Sequence, residues 1–245
     1  MTPRVEVLAV TGVPEVQAGD DLGALIAEHA QLREEDVVVV AQKVVSKAEG
    51  RVRSLAEVEP GDAARRYAAL LEADARVVQV ILDESVRILR DERVLIVETR
   101  HGYVCANAGV DHSNVPGQDA VTLLPDDCDR SAAAIRSRLV ELTGRTVGVI
   151  VADTFGRAWR MGIINVALGV AGVPALIDYR GRPDDHGQEL TATVVAVADE
   201  LAGAAELVMA KTARVPVAIV RGYRPDEAPG TGRDLLRPPE LDLFR

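Results

Sequence analysis

Apolar and polar positions change period several times along the chain, and the changes mark out a series of short strands and helices. Residues 4–10 alternate polar and apolar side chains, the period of a half-buried strand. Thr11, Gly12, Val13 and Pro14 break that run. Asp20 and Asp21 then precede Leu22, Leu25, Ile26 and His29 at helical spacing, an acidic start to a helix that ends near His29. Val37–Ala41 is a short apolar run between polar turns and reads as a buried strand. Gly61–Ala73 and Val77–Leu89 read as helices with solvated charged faces, and Val94–Thr99 with Tyr103–Ala106 as a hairpin turning at His101 and Gly102. Arg130–Leu142, led in by Asp126–Asp129, carries Ile135, Leu139 and Leu142 on one face and stops at Gly144.

A second apolar run, from Val147, ends abruptly at Asp153 and Thr154. Gly162–Val173 is small and apolar, a buried segment where elements approach closely. Pro174–Asp178 reads as a strand, Tyr179–Gln188 as a polar loop, Glu189–Ala210 as a long helix broken by Lys211–Pro216, and Val217–Val220 as the last strand. The stretch from Gly222 through Gly232 reads as loose. Strands and helices mix irregularly, so the pattern predicts an α+β fold of mixed sheets with helices. It contains no P-loop, and Gly230 with Gly232 lacks the strand–helix setting of a Rossmann fingerprint. No boundary divides residues 1–245, and a single domain is expected.

Composition narrows the classes. Aromatic residues make up only 3% of the chain, so Val, Leu, Ile and Ala must fill the core. The formal charge of -10 argues against nonspecific nucleic-acid binding, although local arginines or a metal ion still permit an anionic ligand. Cys105 and Cys128 have no partner at zinc-like spacing and read as buried thiols of a reducing compartment. No signal-peptide pattern opens the sequence and no apolar run reaches the length of a membrane span. A cytoplasmic protein with no membrane partner is expected.

Three polar stretches follow strands. The Gln42–Gly50 stretch holds two lysines and a serine that suit phosphates; composition alone favours an exposed connection. The loop 107–117 offers Asp111 and Asn114 as oxygen donors, with His112 read as a surface residue. Asp153 and Thr154 suit a hard cation such as Mg2+, or else begin a simple turn, while Arg157 and Arg160 suit phosphate or carboxylate groups. If the three stretches converge, they make a cation site beside a phosphate site, the arrangement that phosphoryl transfer needs.

Several blocks together resemble the coenzyme F-420-0:L-glutamate ligase family, the gamma-glutamyl ligases. They are Val13 and Pro14 with Gly19–Asp21, residues 45–50, residues 107–114, residues 151–157, Asp199 with Glu200, and the ending 237–245. The resemblance implies a family-specific α+β fold and a GTP-dependent ligase. Such an enzyme adds L-glutamate to the lactyl carboxylate of coenzyme F-420-0, then further gamma-linked glutamates, through an acyl phosphate. It implies GTP contacts from Val13, Pro14, Glu15, Val16, Gln42, Lys47 and Asn114, and from the segment Met209, Ala210, Lys211, Thr212, Ala213, Arg214, Val215 and Pro216. Asp111, Asp153 and Thr154 would hold Mg2+ or Mn2+, two ions in the family's pattern, with K+ as a further cation. Some relatives carry an acidic metal ligand where this sequence has Lys211. Arg157 and Arg160 are candidates for substrate phosphodiester or carboxylate groups, and no catalytic base stands out. The resemblance further implies a homodimer, with Gly162–Gly172 as an interface candidate, and no C-terminal nitroreductase-like domain. Another metal-dependent phosphoryl-transfer enzyme and a non-catalytic GTP-binding protein are the competing readings.

Overall fold

The computed structural model describes residues 4–112, 119–224 and 227–242. In chain order its elements are β1 (Glu6–Val10), α1 (Leu22–His29), β2 (Val37–Ala41), α2 (Gln42–Ala48), β3 (Val52–Ser54), α3 (Asp62–Leu71), α4 (Ala75–Asp83), β4 (Ser85–Arg90), β5 (Ile96–Thr99) and β6 (Val104–Ala106). There follow β7 (Ala120–Thr122), α5 (Cys128–Thr143), β8 (Gly148–Arg157), β9 (Arg160–Ala171), β10 (Ile177–Asp178), β11 (Val194–Val195), α6 (Val197–Met209) and β12 (Val217–Arg221). The architecture is α+β, as the hydrophobic pattern predicts.

The main sheet runs β1-β12-β2-β8-β9, with β2 and β8 parallel and every other pair antiparallel. Its centre is buried on both faces, which is why β2 is an unbroken run of valines rather than an alternation. Val38 and Val40 pack under Ile26 of α1 and Ile135 and Leu139 of α5. Val37 and Val39 point the other way, onto Val197, Leu201 and Ala205 of α6. A buried pair ties the two middle strands: Arg221 donates from Nε to Asp36 Oδ1 at 2.8 Å and from Nη2 to Oδ2 at 2.7 Å. The short sheets β3-β7 and β4-β5-β6 form a smaller lobe with α3 and α4 around Leu55, Val78, Leu95 and Val121.

Helix ends follow their local signals. Asp21 caps α1 by accepting from the Ala24 N–H, Asp127 caps α5 by accepting from the Arg130 N–H, and Gly144 closes α5 in the left-handed region at φ 65°. One glycine is required for packing. A Cβ on Gly169 of β9 would lie 2.0 Å from the Cys128 carbonyl oxygen, so only glycine lets α5 approach that strand.

Several expectations are corrected. Residues 77–89 do not form one helix: α4 ends at Asp83, and Ser85–Arg90 turns back to pair with β5. The helix expected over 189–210 covers only Val197–Met209, because the β-branched Val194 and Val195 pair with Ile177 and Asp178. Residues 42–48 are helical rather than an exposed connection, with Gln42, Ser46 and Lys47 buried. The strand beginning at Gly148 does not stop at Asp153; it runs to Arg157 and folds back as β9 through Ala158 and Trp159. In the segment 162–173, Gly162, Ile163 and Ile164 are exposed on this ribbon, and burial begins at Asn165. The tail is not loose either. Thr231 and Asp234 form a reciprocal cap, and the Gly232 N–H donates to Asp129 Oδ1 at 2.6 Å.

Candidate active site

The end of the central sheet opens into a cleft of about 900 Å3. Four pieces of chain form its walls: residues 13–16 after β1, the first turns of α2, the β8–β9 ribbon at Ala152–Thr154 and Asn165, and residues 209–216 between α6 and β12. Their convergence follows from sheet order. Strand β2 lies between β12 and β8, so the segments beside its end, the start of α2 and the run into β12, meet Asp153 across neighbouring strands. The Ala41 N–H donates to the Pro216 carbonyl at 2.8 Å, which fixes one wall against the next.

Helix α2 supplies cations and is anchored from below. Gln42 Nε2 donates to Ser46 Oγ at 2.5 Å and to the Leu123 carbonyl at 3.1 Å, and Ser46 Oγ donates to the same carbonyl at 2.6 Å. These buried polar groups satisfy one another and hold the helix to the smaller lobe. The Lys47 side chain is buried, and its Nζ lies 2.5 Å from Glu15 Oε1 on the opposite wall. Lys43 Nζ lies 2.6 Å from Asp111 Oδ2.

Asp111 is placed by its backbone. Asn107, Ala108 and Gly109 take φ of 53°, 54° and 70° in succession. This left-handed turn leads Asp111 to exchange backbone hydrogen bonds with Thr122 at 3.1 and 2.9 Å. A side chain on Gly109 would meet Leu124 Cδ2 at 2.7 Å, so the turn needs glycine for space as well as for φ.

Asp153 is half-buried on the cleft wall. Burial pushes its carboxyl above the usual carboxylate range; the Thr154 N–H, Lys43 and Lys211 draw it back, while Asp111 adds to the rise. Thr154 Oγ1 donates to Asn165 Oδ1 at 2.7 Å, across the β8–β9 register that pairs these two residues. Lys211 Nζ donates to the same Thr154 hydroxyl. Lys43, Lys47, Lys211 and Arg214 therefore converge on one cleft in a chain of net charge -10. Such a cleft concentrates anions, and lysines serve phosphates as point charges.

The carboxylates of Asp111 and Asp153 fit Mg2+ or Mn2+, hard ions that keep waters and complete their shell with phosphate oxygens, whereas the Thr154 hydroxyl expected beside them is taken up by Asn165 and Lys211. Among the described residues, no group of three or more His, Cys, Asp or Glu side chains forms a closed protein cage. The donor set thus suits a cation that arrives with a phosphate ligand.

Most of the residues expected from sequence meet here. Val13–Val16, Gln42, Lys47, Asp153, Thr154 and residues 209–216 except Ala213 line the cleft, and Asp111 joins through Lys43. Asn114 lies outside the described residues. Arg157 and Arg160 do not line it. They stand exposed at the tip of the ribbon, where Arg157 Nη2 donates to the Met161 carbonyl at 2.6 Å. Sequence reasoning passed over Asn165 and Glu206, both on the wall, and placed Lys43 there only as one of two lysines suited to phosphates. Lys43 was visible as a neighbour of Gln42, but Asn165 reaches Thr154 only through the ribbon's register.

Fold and cleft together define an α+β protein without a P-loop, whose walls can hold an anion and a hard cation side by side. A family model described as F420-0:Gamma-glutamyl ligase matches residues 12–222. Three curated proteins, each named Coenzyme F420:L-glutamate ligase, are similar over nearly their full lengths. The protein of Methanopyrus kandleri is 48% identical, covering 99% of this chain and 98% of its own. That of Archaeoglobus fulgidus is 43% identical, at 99% and 97%, and that of Haloarcula marismortui is 46% identical, at 98% and 96%. The chain belongs to the F420-0:Gamma-glutamyl ligase family.

Proposed function

We propose that this protein is a GTP-dependent ligase that joins L-glutamate to the lactyl carboxylate of coenzyme F420-0 and then extends the product through gamma links. The observation that carries the reading is that Lys43, Lys47, Lys211 and Arg214 line one cleft together with the carboxylate of Asp153. A carboxylate resists attack by an amine until its oxygen becomes a leaving group. Transfer of the terminal phosphoryl group to the substrate carboxylate forms an acyl phosphate, and attack by the glutamate amine at the acyl carbon releases inorganic phosphate.

In this reading residues 13–16 and 209–216 hold the nucleotide. Lys43 and Lys47 neutralise phosphate oxygens, and α2, pinned by Gln42 and Ser46, keeps both ammonium groups preorganised. Asp111 and Asp153 would hold Mg2+ or Mn2+, which offsets charge on the phosphates when bound, while the Thr154 hydroxyl stays with Asn165 and Lys211. Arg157 and Arg160, exposed at the tip of the ribbon, are assigned to acidic groups of the acceptor or of glutamate. The same ribbon exposes Met161 and Ile163, and we assign that apolar tip to the contact between two copies of the chain.

The test is mass spectrometry after incubation with coenzyme F420-0, GTP, L-glutamate and Mn2+, with and without K+. Product masses should rise by glutamate units, with GDP formed only when both acceptors are present. GTP hydrolysis without either acceptor would favour a phosphatase, and folded protein that yields no glutamylated product overturns the ligase reading.

A further inference from the structure

The resemblance implies two divalent ions, and some relatives carry an acidic ligand for one of them where this chain holds Lys211. The Thr154 hydroxyl has one proton, which it gives to Asn165 Oδ1 at 2.7 Å, and its oxygen accepts from Lys211 Nζ. A metal ion on the remaining lone pair would stand beside an ammonium at contact distance, where like charges repel. The carboxylate inventory points the same way. Lys43 Nζ lies 2.6 Å from Asp111 Oδ2, and Lys43 and Asp111 pull the Asp153 carboxyl in opposite directions, which places the two carboxylates around one ammonium. Glu15 is engaged by Lys47, and among the described residues neither it nor Glu206 completes a cluster of three potential ligands.

We propose that the cleft takes a single divalent ion, held by Asp111 and Asp153, and that the Lys211 ammonium supplies the second positive charge beside Thr154. The identity of the nucleotide rests on the ligase reading above; the count of metal ions does not. Lysine brings its charge on a fixed tether, so one cation of the site is present before any ligand arrives. Lys43, whose partner Asp111 then turns to the metal, is released toward the incoming phosphates.

Mn2+ titration decides the matter by stoichiometry and by electron paramagnetic resonance, in the presence of GDP and again without it. Wild type should bind one Mn2+ per chain with an isolated six-line spectrum. Lys211→Glu, a change at an exposed side chain, should bind two, with a spectrum broadened by coupling between neighbouring ions. Lys211→Met should keep one ion and lose about tenfold in GDP affinity. Zero or two ions per wild-type chain overturns the proposal, and this measurement needs no variant to fold. One ion in wild type and still one in folded Lys211→Glu removes the role given to the ammonium. If GDP fails to bind while one Mn2+ still titrates and is lost in Asp153→Asn, the nucleotide reading falls and the ion count stands.

Discussion

Lys43 Nζ lies 2.6 Å from Asp111 Oδ2, joining the first turn of α2 to the segment after β6. Neither residue is placed by the other, because Asp111 is set by its backbone exchange with Thr122 and Lys43 by a helix fixed beneath Leu123. Lys43→Met removes a cation from the cleft and leaves the fold intact. GTP affinity in the presence of Mn2+ should fall about tenfold, close to 1.4 kcal/mol. Calorimetric titration beside an unchanged thermal melt checks it.

Asp153 is a half-buried carboxylate whose environment in the folded protein disfavours its charge. Asp153→Asn keeps the shape and removes the ion. The variant should melt several degrees higher than wild type in metal-free buffer while losing ligase turnover, the trade expected where a site is held against stability. Thermal melts in chelator, read beside the product assay, test both halves; an unchanged or lower melting temperature contradicts the first.

Gly169 of β9 lies against the start of α5, where an added Cβ would stand 2.0 Å from the Cys128 carbonyl oxygen. Gly169→Ala should cost about 3 kcal/mol, since a backbone carbonyl cannot swing aside as a side chain can. Gly156→Ala is the control: a Cβ there meets nothing within 4 Å, and its urea midpoint should stay near that of wild type. Urea unfolding of the pair gives the comparison.

Cys105 and Cys128 are both buried, and burial pushes each thiol from 9.0 up to about 12. For Cys105 the Asp153 charge adds to the rise. Neither should react with a thiol reagent at pH 8 in the folded protein, and both should react in denaturant. An acid whose folded value is raised favours folding most below its unfolded value. That contribution is therefore complete below about pH 9 and is lost as pH rises toward about 12. Stability should decline across that window, and substitution of both thiols by Ala should flatten the thiol-dependent part of the decline.

Much of this molecule is local, and local physics was legible in the sequence alone. The valines of β2, the Asp21 and Asp127 caps and the Gly144 stop depend on periodicity and on side chains reaching a few residues along the chain. Most of the residues that line the cleft were singled out in the sequence too, by their types and by the blocks they stand in. What only the tertiary structure decided depends on partners far away in the chain. Ser85–Arg90 leaves a helical pattern because β5 offers it a ladder, and residues 194–195 do the same for β10. Asn165 meets Thr154 because two strands fold into one ribbon, and that ribbon carries Arg157 and Arg160 away from the cleft wall. Lys211 reaches Thr154 across 57 residues of sequence. Such pairings follow from which strands lie side by side, and no period along the chain encodes that choice.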